Sequence, residues 1–315
     1  MHWLDALYGM LLRRTPSFRR GWGDEAWLRG PPPDLLEVSE PSPLSIEWGR
    51  SRVNRDEHVR EGSFVSCEPA LPGPCQRVHL RWISPAQGPV RATCLLLASW
   101  GDENGSMRLR IARPLVREGI SVLVMENAFY GVRRTEPASA APLATVSDFV
   151  RMGTATVREA RALARWMRDE GLPAPMLAGY SMGGQMAALT AASVPWPVRV
   201  VAMAPSASPA PVFTEGPLHR AIDWDALGGA AAKPRLAELL RSFSVLRLPP
   251  PDSRGRAIVV GTRRDGFVPP SDMQAIATHW PHAELRWLDA GHVGAVVFHV
   301  AALRQALREV AEEAR

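Results

Sequence analysis

Gly179-Tyr180-Ser181-Met182-Gly183-Gly184 stands between an apolar run, Pro175-Met176-Leu177-Ala178, and a helix-forming run, Gln185-Met186-Ala187-Ala188-Leu189-Thr190-Ala191-Ala192. Strand, sharp turn and helix in that order form a nucleophile elbow. The turn forces its serine into a strained backbone conformation, and the residues two positions to either side must then lack a Cβ. The hydroxyl is expected at the tip of the sheet. The free N–H groups at the start of the helix, beginning with Met182, are expected to face a developing oxyanion there. G-x-S-x-G also occurs by chance as a turn capping a helix; the flanking runs favour the elbow.

The rest of the chain supplies a sheet for the elbow. Thr93–Ser99 is a short continuous apolar run, and Ile120–Met125, the elbow strand, Val198–Ala204, Ala257–Gly261 and Ala283–Leu288 also read as strands. They alternate with helical patterns at Met107–Glu118, Val146–Glu170, the elbow helix, Ser271–Trp280 and a closing helix at Val293–Glu313. Such alternation predicts a parallel sheet covered by helices on both faces. His58–Ser66 and Arg77–Ser84, joined by the Pro/Gly stretch 69–74, predict two antiparallel strands in front, for about eight strands in all. Trp3, Leu4, Leu7, Met10 and Leu11 recur at helical spacing and end in Arg13-Arg14, an amphipathic helix that either docks on the body or lies on a membrane surface. Residues 1–56 are therefore taken as a helix and an arm. Between residues 205 and 254 the alternation stops, and prolines mix with helical patterns near 217–227 and 234–247; this stretch is expected to be a cap over the site. The whole, 1–315, is expected to be one domain.

Composition narrows the function. The net charge is +5, but 36 of the 37 basic residues are arginine, a bias explained by a GC-rich genome, and no nucleic-acid motif accompanies it. Nucleic acid is not expected as a partner. Cys67, Cys75 and Cys94 are odd in number and lack metal-ligand spacing, which favours a reducing compartment such as the cytoplasm. No run of 18 apolar residues and no signal-peptide order occur, so a soluble or peripheral protein is expected. No P-loop, dinucleotide fingerprint or metal cluster is present, and no cofactor is expected.

A serine is a poor nucleophile at neutral pH until an imidazole takes its proton and a carboxylate orients that imidazole. In sheets that carry such an elbow, the acid follows a late strand and the histidine follows the last one. Ile258-Val259-Val260-Gly261 runs into a loop holding Asp265, and Leu285-Arg286-Trp287-Leu288 runs into a loop holding His292. Asp289 is too close to the histidine, and Asp252 precedes its strand. His279 and His282 flank Trp280-Pro281 at a helix end, and His299 falls inside the closing helix. The second oxyanion donor is expected from the loop after the first long buried strand, as the backbone N–H of Trp100 or Gly101.

Phe18-Arg19-Arg20-Gly21-Trp22-Gly23, the stretch Glu126–Arg133, Val146-Ser147-Asp148 with Met152-Gly153, the elbow itself and Val212-Phe213-Thr214-Glu215-Gly216 together resemble the α/β-hydrolase domain-containing protein 18 family. The similarity runs from the first helix to the last. It implies an α/β-hydrolase fold and a serine nucleophile matching Ser181, with Asp265 and His292 as its acid and histidine. Ser99 and Trp100 depart from the small residues of the family's oxyanion loop, and Ala128 stands where proline is usual. Glu126, Asn127, Tyr130 and Arg133 either line the pocket or brace that loop, and a buried Glu126 would need a partner such as Arg108 or Arg110. The reading is a serine hydrolase cleaving a carboxylic ester, with a lipid acyl ester and an anionic membrane surface as finer expectations. An acyltransferase or peptidase with the same triad, or a non-catalytic scaffold that binds a ligand, stays open, as does oligomeric state.

Overall fold

The structure, a computed structural model, describes residues 3–30, 37–138, 141 and 143–312. Among the described residues, nine strands form one sheet: β1 (Glu47–Val53), β2 (Glu57–Val65), β3 (Arg77–Pro85), β4 (Ala92–Leu97), β5 (Ile120–Met125), β6 (Pro175–Tyr180), β7 (Arg199–Met203), β8 (Ala257–Thr262) and β9 (Ala283–Leu288). The spatial order is β1-β2-β3-β5-β4-β6-β7-β8-β9. The pairs from β1 to β3, and β3 with β5, are antiparallel; β5 through β9 run parallel. Every residue of β4, β5 and β8 is buried, as a strand covered on both faces requires.

Among the described residues, ten α-helices complete the fold: α1 (Trp3–Leu12), α2 (Glu25–Leu28), α3 (Ser106–Arg117), α4 (Val146–Asp169), α5 (Met182–Ser193), α6 (Ala210–Thr214), α7 (Ala232–Arg241), α8 (Pro270–His279), α9 (His292–Phe298) and α10 (Val300–Glu312). The sequence reading differs at three places. β1 lies inside the stretch taken as an arm; Trp48 seats it, packing against Trp82 at 5.7 Å and Trp166 of α4 at 5.9 Å. The closing helix is two helices, α9 and α10, with His299 as the cap between them rather than inside either; the expected last residue, Glu313, lies outside the described residues. The pattern near 217–227 is a 3-10 turn, Pro217–Ala221, and that near 234–247 is α7 followed by a 3-10 turn, Val245–Arg247.

Register positions the functional loops. In the β4–β6 pair, Leu97 lies opposite Gly179, so the chain leaving β4 passes beside the elbow. In the β8–β9 pair, Thr262 lies opposite Leu288, which brings the loops after them side by side. All four loops leave the carboxyl ends of parallel strands, where α/β sheets hold their ligands. Part of the stretch 205–254 lies over that same edge, and its end returns to the amino ends of the strands, where Gly255 abuts the Val198 backbone. Leu236, Leu240 and Val245 pack into the core, while Ser206, Pro209, Val212, Phe213 and Leu218 turn toward the cavity below.

Candidate active site

Ser181 has φ 57° and ψ −120°, a conformation that a side-chain-bearing residue adopts only under strain, and it caps α5. The flanking glycines are there for close approach. A Cβ on Gly179 would run into the backbone of Gly183, and one on Gly183 into the Leu97 carbonyl of β4. The turn can be this sharp only because β4, β6 and α5 touch without side chains between them.

Three side chains from three loops meet at the elbow. Ser181 Oγ lies 2.9 Å from His292 Nε2, and His292 Nδ1 lies 2.7 Å from Asp265 Oδ2. Asp265 is itself fixed: its Oδ1 accepts the N–H groups of Phe267 and Val268 at 2.9 and 2.8 Å, and its Oδ2 accepts the Thr262 hydroxyl at 2.5 Å. Burial pushes this carboxyl up, but the charge and hydrogen bond of His292, with the Thr262 and Val268 bonds, leave it below its ordinary value. Burial pushes His292 down; the charge of Asp265 and the hydrogen bond its carboxylate accepts from Nδ1–H, then the charge of Asp5, outweigh this and leave the ring above its ordinary value. The Tyr180 hydroxyl donates to the His292 carbonyl at 2.5 Å, tying the histidine loop to the strand that carries the serine.

The loop after β4 is braced from two sides. Arg108 pairs with Asp102 at 2.7 Å, both buried, and the Gly101 N–H donates to the Tyr130 hydroxyl at 3.2 Å. Burial raises the Tyr130 phenol, keeping it a hydroxyl. Of the two expected donors, the Gly101 N–H is engaged by Tyr130. The Trp100 ring, larger than the family pattern suggests, packs edge-on against Phe213 at 5.1 Å and Phe149 at 5.9 Å and becomes part of the cavity wall.

The stretch 126–133 lines no part of the cavity at Ser181 and braces the fold instead. Arg133 is fully buried; it pairs with Glu159 at 2.7 Å and donates to the Cys75 and Glu126 carbonyls. Glu126 pairs with neither Arg108, which is taken by Asp102, nor Arg110, which donates to the Val297 carbonyl. Its carboxylate accepts the Val132 N–H, and burial raises its pKa. The competing groups lie elsewhere: Asp289 pairs with Arg264, Asp252 with Arg254, and His279 bonds the Leu248 carbonyl. Asp5, Asp102 and Glu159 escaped the sequence reading, because each acts through a partner far along the chain or inside a helix pattern.

Above the serine lies a cavity of about 250 Å³, walled mostly by apolar side chains. Tyr8 and Leu12 of α1, Met107, Phe149, Met186, Phe213 and Val296 line it, together with Trp100, Ser181, Met182 and His292. Helix α1 thus docks on the body at the cavity mouth. Its outer side leaves Trp3 64% and Leu11 48% exposed, with Leu7 and Met10 beside them. Among the described residues, no cluster of His, Cys, Asp and Glu could hold a metal ion, and no helix is long and apolar enough to cross a membrane.

Solved structures of the same shape include acetyl xylan esterase 1 from Thermoanaerobacterium sp., with TM-score 0.59 and 19% identity over 95% of this chain and 98% of that one. The acetyl xylan esterase from Paenibacillus sp. R4 gives 0.61 and 16% over the same shares. An esterase from Pyrococcus furiosus gives 0.51 and 16% over 88% and 98%. At these identities the likeness is one of fold, the α/β-hydrolase fold. The model of one family, described as alpha/beta hydrolase domain containing 18, matches residues 15–244 and 229–313, and the chain belongs to that family.

Proposed function

We propose that this α/β-hydrolase is a serine hydrolase that cleaves carboxylic esters through an acyl-enzyme. The observation that carries the reading is the unbroken chain Asp265, His292, Ser181, with Ser181 and His292 lining an apolar cavity. His292 Nε2 takes the Ser181 proton as Oγ adds to the ester carbonyl. Asp265 holds Nδ1–H and balances the imidazolium. The N–H groups of Met182 and Trp100 receive the oxyanion. The alcohol leaves with the proton from His292; water, deprotonated by the same ring, then releases the acid and restores Ser181. The neighbours' esterase names agree with an ester as the bond attacked.

The cavity wall suits an apolar acyl chain, and the exposed face of α1 at its mouth, ending in Arg13 and Arg14, suits a lipid ester presented at an anionic membrane surface. The test is labelling by a fluorophosphonate probe. The parent is expected to be modified at Ser181 and Ser181→Ala to be unmodified, with hydrolysis reduced about a thousandfold or more. An unlabelled parent would leave the non-catalytic scaffold. Transfer of the acyl group to an added alcohol or amine in preference to water would make it an acyltransferase, and cleavage of amides over esters a peptidase. Co-sedimentation with anionic but not neutral vesicles at low salt tests the lipid reading. Preference for short soluble esters without vesicle binding would refute it.

A further inference from the structure

Asp5, in the first turn of α1, is fully buried. Its Oδ2 accepts the N–H groups of Gly266 and His292, each at 2.9 Å, and its Oδ1 accepts that of Val293 at 2.9 Å. Gly266 follows the acid Asp265, and His292 and Val293 open α9. One carboxylate therefore joins the acid loop to the histidine loop. The N–H groups of His292 and Val293 are among those a helix start leaves without intrahelical partners, so a buried acceptor there answers a definite need. The seat of α1 is close-fitting: a Cβ on Gly9 would come within 2.6 Å of Pro217 Cβ, and the Tyr8 ring packs on Phe267 at 5.9 Å.

We propose that Asp5 is a positioning residue for ester cleavage, holding the acid and histidine loops in register so that the docked first helix is part of the catalytic apparatus. This rests on the triad reading above. Asp5 acts on His292 by geometry and by charge. The charged and titratable groups around that ring are Asp265 from the loop after β8, Asp5 from α1, Tyr180 at the end of β6, and Tyr8, which lines the same cavity. Of these, Asp5 and Asp265 carry the negative charge that favours the imidazolium.

The variant is Asp5→Asn in the full chain, which keeps the size of the side chain but removes its charge and one acceptor. The kcat for a p-nitrophenyl ester is expected to fall about a hundredfold with KM little changed, the scale of a small displacement of catalytic groups. The acid limb of kcat/KM is expected to move to lower pH, because the imidazolium has lost a stabilising charge. A role confined to folding would lower the active fraction and leave that limb in place, so the limb decides even where part of the sample unfolds. A second readout does not depend on turnover: titration of His292 by NMR in ¹³C-histidine-labelled protein, its signal identified by its loss in His292→Gln. A lower titration point in Asp5→Asn supports the proposal, and an unmoved limb with an unmoved titration overturns it. Fluorophosphonate labelling of the parent, run alongside, separates this outcome from failure of the hydrolase reading itself.

Discussion

Replacing Asp265 by Asn changes one atom and is expected to stop the reaction. Oδ1 of Asp265 faces two backbone donors, the N–H groups of Phe267 and Val268, while Oδ2 faces the His292 ring and the Thr262 hydroxyl. The backbone donors cannot turn. An asparagine must therefore put its oxygen toward them and its NH₂ toward His292 and Thr262. The threonine hydroxyl can rotate to accept, but the ring can accept only with Nδ1 unprotonated, which sends its proton to Nε2, 2.9 Å from Ser181 Oγ. A protonated Nε2 cannot take the serine proton. The wrong tautomer and the lost balancing charge together are expected to lower kcat by about ten thousandfold at neutral pH, the scale found when this substitution is made in other triads. That factor corresponds to about 5.5 kcal/mol of activation free energy. The assay is steady-state hydrolysis of p-nitrophenyl butyrate, with thermal unfolding as a control for the fold. A variant within tenfold of the parent rate would refute the reasoning, since another group would then be orienting His292.

The pH profile of the parent follows from the same contacts: His292 must be neutral to act as base and titrates above 6.5, so kcat/KM is expected to rise with pH through a limb above that value, and a limb below it would contradict the pairing with Asp265. Glu159→Gln leaves the buried Arg133 guanidinium without its counter-charge and is expected to cost about 3 kcal/mol of stability in urea unfolding; an unchanged midpoint and slope would show that the carbonyls of Cys75 and Glu126 suffice.

The elbow and the order serine, aspartate, histidine were legible in the sequence because their requirements are local: glycines where a Cβ would strike a neighbouring backbone, an apolar run before, a helix former behind, and loops at strand ends. The parallel core was legible because β4, β5 and β8 are buried on both faces and so read as continuous apolar runs. β1 was not, because it is mostly exposed and acquires its strand character from pairing with β2 and from Trp48 meeting Trp82 and Trp166. The partner of the Gly101 N–H was not legible for a related reason: a strand end followed by glycine says that an N–H is available, but not that Tyr130, from another loop, will take it. The amphipathic spacing of α1 announced a helix but could not choose its surface. The tertiary structure decided that, bringing Asp5 to the N–H groups of residues more than 250 positions away, because hydrogen bonds depend on the distance between groups in space and the spacing of residues along the chain does not reveal it.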